Sequence, residues 1–60
     1  MIKINNLPAF AKSNTWVVYT IVDGKAWFYD AWQVDRQADA IWQALDIGGF
    51  VVNIDLVVCD

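Results

Sequence analysis

The sequence predicts an α+β domain: a small antiparallel sheet with one helix packed on one face, in the order strand, strand, helix, strand. Three observations carry this. Two runs of β-branched and aromatic residues flank Asp23-Gly24, the hydrophobic period changes from two to 3.6 after Trp32, and it returns to two after Gly48-Gly49.

Met1–Ile4 alternates and is an optional first strand, ended by Asn5, Asn6 and Pro8. Thr15–Val22 and Lys25–Trp32 are the two arms of a hairpin, because Asp-Gly suits the two positive-φ positions of a type I′ turn. Placing Val22 opposite Lys25 pairs Tyr19 with Phe28, Val18 with Tyr29 and Trp16 with Ala31. One face then holds Val17, Tyr19, Ile21, Ala26, Phe28, Asp30 and Trp32. The other holds Trp16, Val18, Thr20, Val22, Lys25, Trp27, Tyr29 and Ala31. Thr20 and Lys25 mark the second face as the wetter one, so the helix is expected on the first, with Asp30 at its rim.

Arg36–Asp46 reads as an amphipathic helix, with Ala38, Ile41, Trp42 and Leu45 on its apolar side and Asp35 as its N-cap. Gly48-Gly49 stops it. Phe50–Val58 is a final strand in which Phe50, Val52, Ile54 and Leu56 share a dry face. A right-handed return of the helix over the sheet sets this strand antiparallel to Thr15–Val22, which becomes central. One domain spans residues 1–60.

Composition excludes several classes of function. The chain of 60 residues is 58% hydrophobic, with four Trp and a net charge of −3 from 4 basic and 7 acidic residues. No basic stripe is present to neutralise phosphates, so no nucleic-acid partner is expected. No apolar run reaches the roughly 20 residues that span a bilayer. With no His, one Ser (Ser13) and one Cys (Cys59), the usual catalytic triads and structural zinc sites are missing, and no enzyme activity, cofactor or metal is expected. Asp35, Asp39 and Asp46 are read as a cap and two solvated charges rather than cation ligands. A lone Cys provides no intrachain disulfide, which favours the cytoplasm.

So small a domain cannot bury all this apolar surface by itself. On the face assignment above, Trp16, Trp27 and Tyr29, flanked by Val18 and Val22, stay uncovered unless Met1–Lys12 folds across them. The last strand, through Ile54 and Leu56, is a second sticky element unless Met1–Ile4 pairs with its edge. The expected surface is therefore Trp16, Val18, Trp27, Tyr29, Ile54 and Leu56. The expected function is a non-enzymatic protein-interaction module that forms a homodimer.

Trp16–Gly49, with its D-G-K turn and Gly-Gly helix stop, resembles the short Trp-rich proteins of bacteriophages and other mobile elements. That resemblance implies a second function, binding and inhibiting a host protein. A third is a module that stacks flat ligands on its tryptophans.

Overall fold

The computed structural model describes residues 1–59. Its elements are β1 (Ile4–Asn5), a 3-10 turn (Ala9–Ser13), β2 (Trp16–Val22), β3 (Lys25–Trp32), a second turn (Val34–Arg36), α1 (Gln37–Ile47), β4 (Phe50–Asn53) and a last turn (Ile54–Leu56). The sheet is four-stranded in the order β1-β3-β2-β4, with β2 antiparallel to both neighbours and β1 parallel to β3. The fold is the α+β arrangement expected, a helix packed against a small sheet. The connection β3-α1-β4 carries the chain over β2. That strand is central, and its Val17 and Val18 are both fully buried.

The Asp23-Gly24 turn has positive φ at both positions, 51° and 76°, as a type I′ hairpin requires. From it the pairs Val22/Lys25 through Tyr19/Phe28 follow the expected register. The next pair is Val18/Asp30, not Val18/Tyr29, because Tyr29 is an extra residue on β3 that forms a β-bulge. Beyond it Val17 pairs with Ala31 and Trp16 with Trp32. The bulge turns Asp30 and Trp32 onto the face of Val18, and Asp30 Oδ1 accepts the Ala31 N–H where the ladder is interrupted, at 2.8 Å.

The faces are consequently used the other way round from the sequence expectation. Helix α1 covers Trp16, Val18, Trp32 and Val51, packing through Ala40, Ala44 and Ile47. The face of Val17, Tyr19, Ala26 and Phe28 is covered by the N-terminal arm and the C-terminal tail, through Ile2, Ile4, Leu7, Ile54 and Val57. Thr20 and Lys25 misled because they stand near the hairpin tip, beyond the reach of the helix. That end is wet on both faces, Ile21 and Val22 alike being exposed.

Both termini depart from expectation in detail. β1 joins the sheet beside β3, at the edge away from β4. The arm meets the C-terminal segment at Ile2, whose N–H donates to Leu56 O and whose carbonyl accepts from Val58 N, each at 2.8 Å. The last strand ends at Asn53 instead of Val58. The Asn53 side chain accepts the Asp55 N–H at 2.9 Å, which bends the chain into the 3-10 turn. Helix α1 has Arg36 at its N-cap position and no side-chain cap, Asp35 lying within the preceding turn.

Candidate interaction surface

The surface follows from how α1 sits. Gln43 lies on its β3 flank, where Nε2 donates to Asp30 Oδ2 at 2.9 Å and Oε1 accepts the Trp32 indole N–H at 2.8 Å. Ala40 and Ala44, one turn apart, face the sheet and let the helix approach closely. Successive residues are rotated by about 100°, so with those positions fixed the expected apolar side of α1 points away from the sheet. Ile41, Trp42 and Leu45 are 45%, 71% and 69% exposed, and Val34 in the turn before the helix is also exposed. Trp42 and Leu45 line an open groove on the outer side of the helix with Gln43 and Asp46.

Scattered apolar residues on a surface need no explanation. A stripe with Trp at its centre is different, since contiguous patches of this kind mark contact sites and Trp is enriched at their energetic core. The acids of α1, Asp39 and Asp46, fall by the same rotation on the β3 flank. Ile41 falls on the opposite flank, toward β4.

The residues expected from the sequence are dispersed. Val18 is fully buried beneath α1, and Trp16 is half-buried beside it with its indole N–H on Val34 O at 3.1 Å, so neither presents a contact surface. Trp27 and Tyr29 are exposed, as is Val22 beside the turn. Ile54 is half-buried under the N-terminal arm and Leu56 is exposed. Ile41, Trp42 and Leu45, on the expected apolar side of the helix, are the residues that sequence reasoning misses as surface. The signal that locates them is the Ala40/Ala44 pair beside Gln43: small residues at helical spacing form a close-packing stripe, and an amide is a suitable partner for the one carboxylate of the hairpin arms.

β4 leaves its outer backbone edge open. The Ile54 N–H donates to Thr15 O at 2.8 Å, which sets the phase of the β2–β4 ladder. Residues 50, 52 and 54 bond inward, and the N–H and C=O groups of Val51 and Asn53 point outward. Nothing among the described residues pairs with them.

Among the described residues no cluster of His, Cys, Asp or Glu is arranged to hold a metal, and no helix is long and apolar enough to cross a membrane. Cys59 is free and exposed. Comparison with known proteins finds no family model, no curated protein and no solved structure that matches the chain.

Proposed function

We propose that the chain is a non-enzymatic protein-interaction module of the cytoplasm that associates with its own copy through apolar surface that α1 leaves uncovered. The observation that carries this reading is the orientation of the helix. α1 spends alanines on its own sheet and presents Ile41, Trp42 and Leu45 to the exterior. A helix stable only within its own domain would turn those side chains inward, because each large apolar side chain left in water forgoes about 1.5–3 kcal/mol.

Sedimentation equilibrium tests the reading. The wild-type chain is expected to have the mass of a dimer at micromolar concentration. Leu45→Lys, at an exposed position, should keep the circular dichroism of the fold and associate at least about tenfold more weakly. A single-chain mass for the wild type at every concentration would refute self-association.

A further inference from the structure

The geometry points to a dimer built by antiparallel pairing of β4 with β4 of a second copy, making one continuous eight-stranded sheet with the two α1 helices side by side on one face. This rests on the self-association reading and deepens it by naming the surface and the register. The outward groups of Val51 and Asn53 are donors and acceptors that a two-fold axis satisfies reciprocally. With the axis at Val52, Val51 of each chain lies opposite Asn53 of the other, and four backbone hydrogen bonds close.

The helices fit the same operation. α1 packs chiefly on β2 and β4 and less on β3. Strands lie about 4.8 Å apart, so a helix over the β2–β4 seam stands about 5 Å from this axis and about 10 Å from its mate. Helices pack at about 8–10 Å. Val52 lies one residue along β4 from Val51, which packs in the same cluster as Ala40 and Ala44. The axis therefore passes close to the level of Ile41, on the flank of α1 that faces β4, and Ile41 meets its own copy there.

Charge leaves room for a second copy. Each chain carries −3, so a symmetric interface must keep its acids apart. Phe50–Asn53 contains no charged residue, Asp39 and Asp46 are on the far flank of the helix, and Asp55 lies in the 3-10 turn beyond the end of the strand.

The test uses the backbone of Asn53, whose φ of −71° is already that of proline. Asn53→Pro removes an outward N–H and breaks no bond to β2, while Asn53→Ala removes the same side-chain turn bond and keeps the N–H. In sedimentation equilibrium Asn53→Ala should remain dimeric, and Asn53→Pro and Ile41→Asp should fall to the single-chain mass with the fold retained by circular dichroism. In the wild type, exchange of the Val51 and Asn53 amides should slow at least about tenfold from dilute to concentrated protein. A dimeric Asn53→Pro, or amides whose exchange ignores concentration, overturns the strand pairing while the wild-type mass keeps self-association standing. A monomeric wild type overturns both.

Discussion

Gln43 stands at the margin of the contact between α1 and the sheet and satisfies two groups there, the Asp30 carboxylate and the Trp32 indole, both partly buried. Neither has another side-chain partner among the described hydrogen bonds. Removing the amide leaves Asp30 Oδ2 and the Trp32 indole N–H without their side-chain partner at partly buried positions, and such losses cost about 1–3 kcal/mol. Gln43→Ala is therefore expected to lower the unfolding free energy in urea by about that amount, although alanine's higher helix propensity by itself would raise it slightly. Gly48 and Gly49 show how adjacent identical residues serve different ends. Gly48 adopts the left-handed conformation that closes the helix, φ 68°. At Gly49 a Cβ would fall 2.5 Å from the Tyr19 carbonyl oxygen, so it is the approach of β4 to β2 that demands glycine.

At the scale of the element, α1 is oriented by close approach and by one polar partner, not by the direction of its apolar stripe. Opposite mutational responses follow. Ala40→Leu places a branched side chain where the helix touches the sheet at a fully buried position, and overpacking there should cost about 1–3 kcal/mol. Trp42→Gln removes the largest side chain of the helix from solvent contact, and in dilute, monomeric protein it should change stability by less than about 0.5 kcal/mol. Urea titrations of the two variants decide the matter; equal losses would mean that Trp42, too, is held by its own fold. The sequence does reveal α1 itself, from its 3.6 period and its Gly-Gly stop. It does not reveal which side is buried, since composition favours Ile41, Trp42 and Leu45 and only knowledge of the bulge at Tyr29 brings Asp30 under Gln43. The hairpin is legible for the complementary reason: Asp23-Gly24 specifies its turn locally, and alternation then fixes four pairs before the bulge. The end of β4 is equally local, an Asn53 side chain competing for the Asp55 amide, but an apolar run from Phe50 to Val58 hides it.

For the whole molecule, two layers cover a four-stranded sheet: α1 on one face, the arm and tail on the other. Both are thin. Among the described residues Ala11, Ala26, Ala40 and Ala44 make up half of the buried core, and the largest side chains wholly out of water are Val17 and Val18. The four tryptophans lie at margins or outside, so the apolar excess read from composition is real and has not been absorbed by the fold. A chain of this kind draws stability from its partner by mass action, each tenfold excess of concentration over the dissociation constant contributing about 1.4 kcal/mol to the associated state. The thermal midpoint of the wild type should therefore rise with protein concentration, whereas that of Asn53→Pro, which also lacks the side-chain turn bond, should stay fixed at every concentration. Calorimetry over a hundredfold range of concentration reads this directly. A wild-type midpoint independent of concentration would show that the thin core suffices without a second chain, and would remove the energetic reason for the outward face of α1 to be an interface.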